Sequence, residues 1–161
     1  MKGLYIGRFD PFHLGHFKAY NLFCNLTDEV EIGIGAQREN DFLSLEERIK
    51  GVYENTGIQP IELEDLDCNH PLYWDWGKYV LRKIGNIEII ATGNSYVRND
   101  FNKEGIPVLW LPRYEDISGT VIRDKIGKGD DSWKSLVPEK TKSLILNSVK
   151  YREIKWNFIR I

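Results

Sequence analysis

Only two cysteines, Cys24 and Cys68, occur in 161 residues. They show no close metal-ligand spacing, and so few of them exclude a disulfide framework and favour a reducing, cytoplasmic setting. Long apolar runs are missing too: the N-terminus lacks the apolar region of a signal peptide, and no stretch reaches the length needed to span a bilayer. Nor is there an excess of one charge, with 22 basic against 24 acidic side chains. No global field therefore recruits nucleic acid or an anionic membrane, and any anion site must be built locally. Repeats, low-complexity tracts and linkers are absent. The expectation is a soluble chain folding as a single domain, 1–161, that engages neither nucleic acid nor membrane.

What is present is an alternation. Apolar runs rich in β-branched and aromatic residues fall at 4–9, 30–36, 59–63, 87–93 and 108–112, several of them nearly continuous, as strands buried on both faces are. Helical periodicity fills 16–26, 43–56 and 73–84, with Phe17, Tyr20, Phe23 and Cys24 on one stripe of the first. Strand alternating with helix predicts an α/β fold with a parallel sheet and flanking helices. From about residue 120 the chain reads as helical, closed once by glycines and broken near Pro138. Between Glu54 and His70 there are five carboxylates and no Lys or Arg, read as a solvated face.

Two of the three histidines stand in the turn GRFDPFHLGH, residues 7–16, between the first strand and the first helix. In an open α/β sheet that turn is a usual place for phosphate. Gly7 and Gly15 allow close backbone approach, the helix offers unpaired N–H groups, and Arg8, His13 and His16 add side-chain donors. The same residues also fit a plain turn with polar surface, or a metal site. Zinc, however, needs further ligands that neither His70 nor the cysteines supply at a suitable spacing. A second cluster, ISGTVIR at 117–123, opens a helix, with Ser118 or Thr120 as N-cap. With Thr120 as cap, Arg123 occupies the third helical position, where the helix dipole disfavours a cation and an anionic ligand would resolve the mismatch. GIGAQR (33–38) starts like a dinucleotide fingerprint, but Arg38 replaces its third glycine, which argues against hydride transfer.

Together, GRFDPFHLGH and ISGTVIR resemble the HxGH nucleotidyltransferase superfamily, and the GRF opening is closest to the archaeal-type nicotinamide mononucleotide adenylyltransferases. The resemblance runs from Lys2 to about Val149. It implies a Rossmann-like nucleotidyltransferase fold and adenylyl transfer from ATP to nicotinamide mononucleotide, giving NAD and pyrophosphate. His16 would stabilise the α-phosphoryl transition state, and His13, Arg8 and Arg123 would hold the triphosphate. Gly7, Phe9, Arg48 (from the EER of DFLSLEERI), Ser118 and Thr120 complete the implied phosphate site. Mg2+ would travel with ATP and take few protein ligands, and the family implies a homo-oligomer.

For the acceptor, the resemblance implies a tryptophan stacked on the nicotinamide ring, Trp76 by alignment, with Trp74 one turn away. Gly93, Asn94 and Val97 of ATGNSYVRNDF match the segment that closes on adenosine, with Arg98 as an extra phosphate contact. Asp10 departs from the pattern, where the family usually has Gln, and bears on acceptor choice. Alternatives are a related adenylyltransferase acting on phosphopantetheine or nicotinate mononucleotide, and a non-catalytic nucleotide-binding protein.

Overall fold

The computed structural model describes residues 1–159, with side chains through Asn157. Five strands, β1 (Lys2–Gly7), β2 (Glu29–Gly35), β3 (Ile61–Leu63), β4 (Ile89–Thr92) and β5 (Val108–Trp110), form one sheet in the order β3-β2-β1-β4-β5. Every pairing is parallel: Gly3 stands opposite Val30 on one side and Ile89 on the other. The strand order reverses between β1 and β4, and the turns that follow these two strands carry residues 8–13 and Gly93–Asn94. The predicted α/β class with a parallel sheet and flanking helices is the observed one.

The helices are α1 (Leu14–Leu26), α2 (Leu45–Thr56), α3 (Trp76–Ile84), α4 (Ser95–Lys103), α5 (Gly119–Gly127), α6 (Glu139–Leu146) and α7 (Val149–Ile159), with a 3-10 turn at Asp131–Leu136. Periodicity missed α4, because in SYVRNDFNK the only apolar residues turned inward are Phe101, fully buried, and Val97, partly so. The tail breaks at Lys128–Asp130, as its glycines predict, again near Pro138, which caps α6, and a third time at Asn147–Ser148. The terminal WNFIRI stretch lies partly outside the described residues; Trp156 is exposed.

Contacts group the chain into two compact units. The first, residues 1–7, 19–36 and 60–112, holds the sheet. One sheet face packs Leu4, Ile6 and Ile90 against Val80 of α3 and Phe101 of α4. On the other face Phe23 of α1 lies so close to Gly3 that no side chain fits there. β1 is therefore buried on both faces, which is why its sequence lacks alternation. The second unit, residues 8–18, 37–59 and 113–161, has its own apolar cluster around Ile122, Ile126, Trp133 and Ile145. Among the described residues no helix is long and apolar enough to cross a membrane.

Candidate active site

The second unit collects most of the phosphate-site residues read from the sequence. α1 begins at Leu14, two residues before the predicted start, so His13 stands just ahead of the first turn. There the two histidines cap each other. The backbone N–H of His16 donates to Nδ1 of His13, and the backbone N–H of His13 donates to Nδ1 of His16, both at 3.2 Å. This is a capping box with imidazoles in place of Ser and Glu. The rings stack, centroids 3.5 Å apart and planes 19° apart. A Cβ at Gly15 would meet His13 Cε1 at 2.9 Å, which is why glycine separates them.

The arrangement fixes the protonation of both rings. A nitrogen that accepts from an amide carries no proton, so each neutral imidazole carries its hydrogen on Nε2. Burial, and then the charge of Arg123, lowers the His13 pKa to about 4. Burial and the neighbouring His13 hold His16 well below 6.5. Each ring is thus a fixed, uncharged Nε2–H donor at neutral pH. Phe9 is buried and keeps its ring off the surface: it meets the His16 ring edge-on at 4.8 Å, with Phe12 at 5.5 Å behind.

Ser118, not Thr120, caps α5, accepting from the Val121 amide at 3.1 Å. Arg123 therefore sits at the fifth helical position rather than the third, and the dipole mismatch expected there is smaller. Its guanidinium donates to the Asp10 carbonyl (2.5 Å) and, more weakly, to Thr120 Oγ1 (3.3 Å). A Cβ at Gly119 would lie 2.7 Å from Arg123 Nη1 and 3.0 Å from the Asp10 carbonyl oxygen.

Arg48 is fully buried in α2 and donates to the Arg8 carbonyl (3.0 Å) and to Asp41 (3.3 Å). Arg8 in turn donates through Nη2 to both Asp41 oxygens, at 2.6 and 2.7 Å. Asp10 is also turned inward: its carboxylate accepts from the Phe42 and Leu43 amides, each at 2.8 Å. Asp41 escaped the sequence reading because a lone loop carboxylate has no periodicity; Ser44-x-x-Glu47, a capping box that starts α2 just after it, was the available signal.

Gly7 and the acceptor residues lie in the first unit. Asn94 caps α4, spending its side-chain oxygen on the Tyr96 and Val97 amides; Val97 packs into the apolar cluster, and Gly93 is exposed. Arg98 stacks 4.4 Å over the Trp110 ring. Trp76 opens α3, its Nε1 donating to the Glu64 carbonyl (3.0 Å) and its ring meeting Phe101, while Trp74 is 78% exposed.

Residues 4–125 match the cytidylyltransferase-like family. A nicotinamide-nucleotide adenylyltransferase from Methanolobus tindarius is 36% identical over 85% of this chain and 83% of its own length. One from Thermococcus onnurineus is 32% identical, over 89% and 81%. The chain belongs to the cytidylyltransferase-like family. Among solved structures of the fold, a bifunctional NMN adenylyltransferase/ADP ribose pyrophosphatase from Francisella tularensis, complexed with AMP and manganese ion, superposes with a TM-score of 0.65 at 20% identity. The match covers 98% of this chain and 53% of that one, so this cytidylyltransferase-like chain spans about half the length of the bifunctional protein.

Among the described residues no group of three His, Cys, Asp or Glu side chains could hold a metal ion. The two carboxylates beside the histidine turn are engaged, Asp10 by amides and Asp41 by guanidiniums.

Proposed function

We propose that this protein transfers the adenylyl group of ATP to nicotinamide mononucleotide, giving NAD and pyrophosphate. What carries the reading is the pair of stacked, neutral imidazole donors joined to Arg8 and Arg123 in one unit, in a chain 36% identical to a nicotinamide-nucleotide adenylyltransferase. An acceptor phosphate oxygen attacks the α-phosphorus, a new P–O bond forms, and the bond to the β-phosphate bridging oxygen breaks with its electron pair leaving on pyrophosphate. No covalent enzyme intermediate is needed, so the protein's contribution is position and charge. His16 donates its Nε2–H to the α-phosphoryl oxygens; His13, Arg8 and Arg123, with Thr120 and the backbone at Gly7 and Phe9, hold the triphosphate. Ser118 acts by starting α5, and Arg48 by anchoring Arg8. The substrate would be the magnesium complex of ATP, in which the ion would offset charge on the pyrophosphate leaving group. Trp76 stacks on the nicotinamide ring, and the Gly93–Val97 segment carries the adenosine half.

In this reading the chain works as one nucleotidyltransferase domain in the cytoplasm, a setting that suits its free cysteines. It assembles with copies of itself, which would cover exposed apolar side chains such as Leu22 and Leu26. The deciding experiment offers magnesium, ATP and one acceptor at a time, and reads pyrophosphate. Turnover with nicotinamide mononucleotide is expected. No turnover with any acceptor, or turnover with phosphopantetheine alone, sinks the reading.

Two variants probe the roles. Gly119→Ala pushes a methyl into the Arg123–Asp10 link, and the KM for ATP rises by about tenfold or more with the fold intact by circular dichroism; an unchanged KM separates that link from ATP binding. Trp76→Ala raises the KM for nicotinamide mononucleotide up to about tenfold, the worth of one aromatic stack, and leaves that for ATP nearly constant. If Trp74→Ala has this effect instead, the stacking role moves there.

A further inference from the structure

The loop between β2 and α2 is braced to the histidine turn in both directions. From the turn, the Asp10 carboxylate takes the amides of Phe42 and Leu43. From the loop, the Asp41 carboxylate takes the Arg8 guanidinium, and Arg48 joins both by donating to the Arg8 carbonyl and to Asp41. Asp41 is itself held on several sides: its side chain is 7% exposed and accepts from the Arg38 amide (2.7 Å) and Gln37 Nε2 (3.3 Å), while its carbonyl accepts from Lys150 Nζ of α7 (3.0 Å). A carboxylate fixed this firmly cannot follow a moving partner. Arg8, with 31% of its side chain exposed, is what it fixes.

We propose that Asp41 is a positioning residue for nucleotide binding: it holds the Arg8 guanidinium ready for the triphosphate, with buried Arg48 as the second cation that keeps the carboxylate in place. This rests on the triphosphate reading of the unit. A free arginine side chain carries substantial rotamer entropy, and ordering it before the ligand arrives removes that cost from binding. The negative charge does not cancel the attraction for phosphate, because Asp41 is shared by two guanidiniums and the trio stays net positive. A point charge opposed to phosphate would instead weaken binding, so the two roles predict opposite signs on removal.

The test is a double-mutant cycle on MgATP affinity, measured by titration calorimetry, which needs no acceptor turnover. Asp41→Asn keeps the shape and removes the charge. The dissociation constant is expected to rise by about tenfold in the wild-type background and to change by less than about twofold when added to Arg8→Ala, because Asp41 acts through Arg8. The KM for ATP is expected to rise in parallel, with kcat at saturating ATP within about threefold. Affinity equal to or tighter than wild type, or the same loss repeated in the Arg8→Ala background, overturns the proposal. Should Asp41→Asn leave Arg48 too poorly compensated to fold, Asp41→Asn is added to Arg48→Met and read against Arg48→Met alone, with and without Arg8→Ala, by the same two criteria. A wild-type protein without affinity for MgATP overturns this proposal and the triphosphate reading together. A wild type that binds MgATP but forms no NAD overturns the function alone.

Discussion

His16→Ala lowers kcat by about two to three orders of magnitude and moves the KM for ATP by less than about threefold. The imidazole is held before any ligand arrives: Nδ1 accepts the His13 amide, the faces meet His13 and Phe12, and Phe9 closes an edge. A donor fixed in advance needs no reorganisation as charge builds on the α-phosphoryl oxygens, and loss of one such donor costs about 2.7–4 kcal/mol of barrier. A loss confined to KM would return His16 to ground-state binding. The protonation state has its own check. Burial holds the His13 pKa at about 4, so nitrogen NMR should find its ring neutral, with hydrogen on Nε2, throughout pH 5.5 to 8. The sign for stability follows: between about 6.5 and about 4 the unfolded chain binds a proton that the folded one refuses, so stability falls as pH drops through that window. A His13 titration near 6.5 would refute the neutral-donor account.

Asp10→Ala costs about 3 kcal/mol or more and lowers Tm by about 6 to 12 °C, read by calorimetry, because two buried amides lose a charged acceptor. Both belong to core residues, Phe42 and Leu43, at 6% and 1% exposure, so water cannot replace the carboxylate cheaply. The same change loosens Arg123, whose Nη1 bonds the Asp10 carbonyl. From sequence, Asp10 bears on acceptor choice; the structure spends its carboxylate on backbone instead. Asp10→Asn, which keeps one acceptor oxygen, should leave the ratio of rates with nicotinamide and nicotinate mononucleotide unchanged. A shifted ratio would restore the sequence-based role.

The sheet was legible because parallel strands covered on both faces leave near-continuous apolar runs, and β1 and β4 are of that kind. Helix α4 was not, since its polar residues conceal two inward anchors four apart. In the candidate site, the types and order of residues could be read, but not what each touches. Arg48 could be placed in the phosphate site from its EER context, yet no local pattern reports its burial or its bond to a carboxylate seven residues earlier. Asp10 and Asp41 lie in stretches without period, and their roles exist only once two loops about thirty residues apart meet.

The link from Arg123 to the Asp10 carbonyl joins residues 113 apart in sequence, whereas all five strands are complete by Trp110. As the chain is synthesised, every strand has therefore emerged before the turn at 8–13 receives its last brace, and contacts of such separation form late. A chain that stops short of Arg123 would therefore carry all five strands and lack this brace.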